Sequence, residues 1–204
     1  MAEVKIPKGI KPKEFFMKFL PETFETSVAG MDLSEYSGID WRGEYTITGP
    51  DGGVFGVVIK DAKELTVTEG KLDDAWLNLE VSDQVFSGAL DGKYPEIPMD
   101  KLEEGLANPQ NLITSLPPEE VKEKLEAFQS ISGRMELSLT SGSETIDLAM
   151  IYNGEESPKC KMMGALSDII GIMTKELNPV QAFMSGKFKI EGDMAFALKL
   201  QTLM

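Results

Sequence analysis

Apolar and polar residues change period several times along the chain, and each change marks an element. Phe15, Phe16, Phe19 and Leu20 recur at helical spacing within residues 12–28, which predicts an opening helix that Pro21 interrupts. From residue 44 the period becomes two. Tyr45 and Ile47 alternate with Glu44, Thr46 and Thr48, Gly49-Pro50-Asp51-Gly52-Gly53 supplies a turn, and Val54 to Lys60 returns as the second arm of a hairpin. Residues 65–70 and 76–81 extend the meander. Ser82 then caps a predicted helix over residues 83–90, which Asp91-Gly92 ends.

Residues 93–118 carry Pro95, Pro98, Pro109, Pro117 and Pro118, with only residues 100–107 reading as helical, so this stretch is a connection. The second half repeats the order of the first. Pro117-Pro118-Glu119-Glu120 opens a helix through Phe128, with prolines and acids where free amide donors and the helix dipole favour them. Residues 135–139 and 145–152 form a second hairpin around Ser141-Gly142-Ser143, and residues 159–165 read as a further strand. Ser167-Asp168 caps a helix over 169–177, as Ser82-Asp83 caps its counterpart. The pattern predicts two fused or partly duplicated units, residues 12–116, shortened or diverged, and residues 117–204. Only the second continues into Asn178–Gly186, a strand over 187–190, a break at Gly192 and an apolar tail over 194–204.

Charge narrows the partners. Thirty-four acidic residues against 20 basic ones give −14 at pH 7, which disfavours nucleic acid and strongly anionic surfaces. The imbalance lies upstream: residues 157–204 hold six lysines and four acids, a local +2. No stretch reaches the roughly 18 apolar residues of a membrane helix. The polar start of the chain shows no secretion signal, so a cytoplasmic protein is expected.

The chemistry that composition permits is limited. The absence of histidine excludes Ser-His-Asp and Cys-His arrangements and histidine metal sites, and the single cysteine, Cys160, excludes thiolate clusters. Acid pairs such as Asp73-Asp74 and Glu119-Glu120 point apart on strands and helices and read as solvated surface. Ser185-Gly186-Lys187 has Phe188 where a phosphate loop needs Ser or Thr, so it is a turn. No cofactor is called for. What stands out is a concentration of flexible apolar side chains, among them Met162, Met163, Met173, Phe183, Met184, Phe188, Met194 and Phe196, of the kind that fills an irregular core or lines an adaptable apolar site.

Residues 178–201 closely resemble the C-terminal signature of the sterol carrier protein 2 family: Asn178-Pro179, Ala182-Phe183, Gly186-Lys187, Lys189-Ile190, Gly192-Asp193-Met194 and Lys199-Leu200-Gln201. Residues 12–93 resemble the other end of its prokaryotic members more loosely, through Leu20-Pro21-Glu22, Ala29-Gly30-Met31 and Val57-Val58-Ile59-Lys60-Asp61. The chain lacks the Ser-Lys-Leu type ending of peroxisomal members, in keeping with a prokaryotic type.

The resemblance implies an α+β fold in which a twisted, mainly antiparallel five-stranded sheet, covered by helices, encloses an apolar tunnel closed by the terminal helix. It implies lipid binding or transfer without catalysis, with a fatty acid, acyl-CoA or sterol-like ligand. Met162, Ile169, Ile170, Met173, Phe183, Met184, Phe188, Met194, Phe196 and Leu200 are the expected lining, with Lys187 and Lys189 for an anionic head group. Transient membrane contact and a homodimer are compatible with that role. Two rivals stand beside it: a closed interaction module, and an enzyme built on carboxylates.

Overall fold

In each strand alternate side chains face one apolar layer, and this parity organises the whole molecule. The computed structural model describes residues 4–107 and 116–201. Strands β1 (Trp41–Thr48), β2 (Gly53–Lys60), β3 (Glu64–Glu69), β4 (Leu77–Ser82), β5 (Gly133–Ser141), β6 (Glu144–Tyr152), β7 (Lys159–Ala165) and β8 (Phe188–Gly192) form one sheet in the order β3-β2-β1-β4-β6-β5-β7-β8. Neighbours are antiparallel except β1–β4 and β5–β7. Ile47, Phe55, Val57 and Val81 face one apolar core, and Met135, Leu137, Leu139 and Ile146 face another.

The pairing order repeats. In each half the first arm of an antiparallel hairpin also pairs with a later parallel strand, which in the first half follows the extra strand β3, and that strand leads directly into a helix, Asp83–Leu90 after β4 and Leu166–Met173 after β7. The five-stranded sheet implied by the resemblance is replaced by a continuous sheet of eight. The reason lies at β4: the first half supplies no strand for its outer edge, and β6 pairs there antiparallel, as β8 pairs with β7. Both edges are thereby satisfied, and the two halves share one hydrogen-bonded ladder.

Pro21 does not interrupt the opening helix. Pro12–Glu14, a π-helical stretch Phe15–Phe19 and Leu20–Val28 run on without a break, and the Leu20 amide donates to the Phe15 carbonyl across the widened turn. The π stretch ends one residue short of Pro21, close to where an N–H is missing from the ladder. Phe16 stacks on Phe55 at 4.7 Å between ring centroids and also meets Tyr45 and Phe86.

The two capped helices differ. Ser82 Oγ accepts from the Val85 amide at 3.2 Å. The later helix begins at Leu166, upstream of Ser167-Asp168, and its N-cap is Ala165, which has no side-chain oxygen to offer. Asp168 instead accepts from Lys187 Nζ at 2.5 Å. Asn178 caps Pro179–Met184 through Oδ1, and Asp193 Oδ1 accepts from Phe196 N at the start of Met194–Gln201. Pro109 and the last residues of the predicted tail, Thr202 to Met204, lie outside the described residues. No helix among the described residues is long and apolar enough to cross a membrane.

Candidate ligand cavities

The core face of β7 and β8 presents Met162, Phe188 and Ile190, with Met162 opposite Ile190 across the pair. The capped helix Pro179–Met184 brings Val180 and Phe183 over this corner, and Met194–Gln201 brings Met194, Ala197 and Leu198. Together they bound an apolar cavity of about 160 Å³. Four expected lining residues, Met162, Phe183, Phe188 and Met194, meet there. Ile169, Phe196 and Leu200 are instead packed in the core of the second half, where Phe196 meets Tyr152 at 6.3 Å and Ile170 lies against the same cluster. Met173 and Met184 point to solvent, 68% and 79% exposed.

Neither expected head-group lysine faces this cavity. Lys187 is paired with Asp168, and Lys189 stands opposite Met163, on the face of the sheet away from Met162 and Ile190. Strand parity explains the second placement, because Phe188 and Ile190 both point inward and their neighbour must point outward.

A second cavity, lined by none of the expected residues, is larger, about 690 Å³. Its floor is the core face of β1, β2 and β3, with Tyr45, Val57, Ile59 and Leu65. One wall is the opening helix, through Leu20 and Phe24, and another is the Met99–Ala107 helix, through Leu102 and Leu106. The remaining wall comes from Pro118–Gln129, through Val121 and Leu125. Leu102 with Leu106 and Val121 with Leu125 are i,i+4 pairs, so each helix turns one apolar stripe toward the cavity. The side chains carrying polar atoms at this cavity are Thr23, Asp40, Trp41, Tyr45 and Lys101, and Asp40 already accepts from the Asp61 amide at 2.8 Å.

The opposite face of the sheet is polar. Arg134 donates to Glu80 at 2.8 Å, Glu136 at 3.2 Å and Glu156 at 3.2 Å, tying β5 to β4 across β6, and Lys159 pairs with Glu136 at 2.7 Å. The Lys159 and Arg134 cations hold the Glu136 carboxyl below the usual glutamate range. Cys160 is 1% exposed, and burial pushes its thiol up to about 11, so it is protonated at neutral pH. Among the described residues no group of histidine, cysteine and carboxylate side chains has the disposition of a metal site.

Residues 110–204 match the SCP-2 sterol transfer family. That stretch is a domain of this family. The match contains the whole 178–201 signature and begins ahead of the Pro118–Gln129 helix. Human sterol carrier protein 2 is 40% identical over 55 residues, covering 27% of this chain and 10% of that protein. Hydroxysteroid dehydrogenase-like protein 2 of Xenopus tropicalis is 37% identical over 88 residues, covering 39% of this chain and 21% of that protein. The chain therefore spans about a tenth to a fifth of the length of these relatives. The crystal structure of sterol carrier protein 2 like 2 from Aedes aegypti aligns with a TM-score of 0.32 at 19% identity, over 41% of this chain and 95% of that one. The SCP-2 domain thus owns the small cavity outright and contributes Val121 and Leu125 to the large one.

Proposed function

We propose that the protein is an intracellular, non-catalytic carrier that holds a lipid, a fatty acid, acyl-CoA or sterol-like molecule, between its sheet and its helices, in a chain built of two units dividing near residue 116. The observation that carries this reading is an SCP-2 family domain whose signature residues Phe183, Phe188 and Met194 surround an apolar cavity instead of filling it. The energetics suit such a ligand. Each buried methylene contributes about 0.8 kcal/mol, so ten supply roughly 8 kcal/mol, on the scale of micromolar affinity before ordering costs. No charged group needs to enter the core.

The test is uptake of a fluorescent fatty acid by the full chain, followed by displacement with unlabelled fatty acid, acyl-CoA and sterol. Saturable uptake at micromolar concentration with displacement by at least one class supports the carrier. A chain that takes up none of them contradicts it.

One observation favours a second reading. Met173, Val180, Met184 and Leu198 are each more than half exposed in the SCP-2 domain, around a cavity of only about 160 Å³. A closed domain that docks a partner, a second copy or a membrane would present such a surface. It predicts association or vesicle binding without ligand uptake.

A further inference from the structure

The two cavities differ in what they can hold. An apolar space of about 150 Å³ takes a molecule of benzene size, so the 160 Å³ cavity of the SCP-2 domain accommodates a fragment of a lipid. Ligand sites for whole small molecules run from about 300 to 1,000 Å³, and the cavity over β1–β3, about 690 Å³, lies inside that range. It is also far larger than the voids that close packing leaves in protein interiors.

This large cavity is composite. Its floor and two of its walls belong to residues before 110, and the remaining wall is the first helix of the SCP-2 domain. That helix is held at both ends. Tyr36 Oη donates to the Leu116 carbonyl at 3.3 Å just before it begins. Asn153 Nδ2 donates to the Gln129 and Ile131 carbonyls, at 2.9 and 2.6 Å, where it ends. Val121 and Leu125 pack on the cluster of Leu33, Tyr36, Ile39 and Ala62. The helix is therefore fastened across the junction with its apolar stripe turned toward the cavity.

The polar groups are few and unequal. Asp40 is already engaged by the Asp61 amide, whereas Lys101 is exposed and makes no ion pair with a described residue. A lysine whose stem lies along apolar surface and whose ammonium reaches water is suited to meet a single negative head group there.

Resting on the lipid-carrier reading, we propose that the principal ligand chamber is this composite cavity, formed jointly by the two halves. It takes a single-chain fatty carboxylate, with its tail over Tyr45, Val57 and Leu65 and its carboxylate at Lys101. The chamber exists only in the full chain, because residues 110–204 supply one wall and no floor.

The experiment uses full-length protein and cis-parinaric acid, a fluorescent fatty carboxylate. Leu102→Trp places bulk in the chamber from an already accessible position, and Leu106→Trp does so from deeper in. Phe183→Asp alters the small cavity. All are checked for native circular dichroism. The expected result is at least a tenfold loss of affinity in either Trp variant that stays folded, larger than the loss in Phe183→Asp. Lys101→Glu weakens the acid by about three- to tenfold, more than the loss of one exposed ion pair because the charge is reversed. It leaves binding of the methyl ester unchanged. If the wild-type chain binds parinarate but both Trp variants bind equally well and Phe183→Asp does not, the chamber assignment is overturned while the carrier reading stands. If the wild type binds nothing, both fall.

Discussion

Phe128, near the end of the Pro118–Gln129 helix, stands 5.3 Å from Trp41 on β1 and 5.4 Å from Tyr152 on β6, ring centroid to centroid. One side chain thus joins the first strand of the N-terminal half to a strand of the SCP-2 domain. It does so on the helix that walls the large cavity. Phe128 is half-buried, so Phe128→Ala is expected to cost about 2–3 kcal/mol, somewhat less than a fully buried phenylalanine. Urea denaturation measures it. Phe128→Leu, which keeps most of the apolar volume, should recover at least half.

The contrast between the two helix starts gives a second expectation. Ser82→Ala removes a hydroxyl that accepts from Val85 N and should destabilise by about 1 kcal/mol. Ser167→Ala lies inside a helix capped by Ala165 and should change stability by less than about 0.5 kcal/mol. Equal losses in paired thermal melts would restore Ser167 to a capping role.

Acid should weaken the polar face. Glu136 is held below the ordinary glutamate value of 4.5, chiefly by its hydrogen bond from Lys159 and then by Arg134. A folded-state value lower than the unfolded one means the stabilisation is present above 4.5 and is lost as pH falls through the folded value. Because the carboxylate is partly solvated, the effect stays below about 1 kcal/mol. Glu136→Gln should accordingly show a smaller drop in urea midpoint between pH 7 and pH 4 than the wild type.

Alkali acts on Cys160 in the opposite sense. Its thiol is raised from 9.0 to about 11 by burial, so the unfolded chain ionises first and the native state loses stability as pH rises between those values. At pH 8 the native thiol should react with a disulfide reagent only as fast as the protein opens, and fully and rapidly in denaturant. Prompt native labelling would show that Cys160 is not in the core.

The elements were legible because their signals are local. Alternation around Gly49–Gly53 gave the first hairpin, and Gly49, at φ 115° with the Asp83 carboxylate against it, shows why a glycine-rich turn is needed there. Strand 159–165 and helix 83–90 were read with the bounds they have. The signature at 178–201 pointed to the family, and Met162, Phe183, Phe188 and Met194 do share a cavity.

What escaped the sequence was long-range. Pairing of β4 with β6 joins strands from different halves, and no periodicity encodes that partnership. The helices over 100–107 and 118–128 were predicted, but nothing local links Leu102, Leu106, Val121 and Leu125 to the face of β1–β3 that they cover. Abundant methionine did not distinguish Met162, in a cavity, from Met184, in solvent. Lys189, between Phe188 and Ile190, is turned to the other face by strand parity.

The most direct measurement is native mass spectrometry of the full chain incubated with one equivalent of a long-chain fatty acid, repeated after organic extraction and reloading. The account predicts a stoichiometric one-to-one complex that extraction removes and reloading restores. Retention of the bare mass at every fatty acid concentration up to tens of micromolar, with the chain folded, would contradict it.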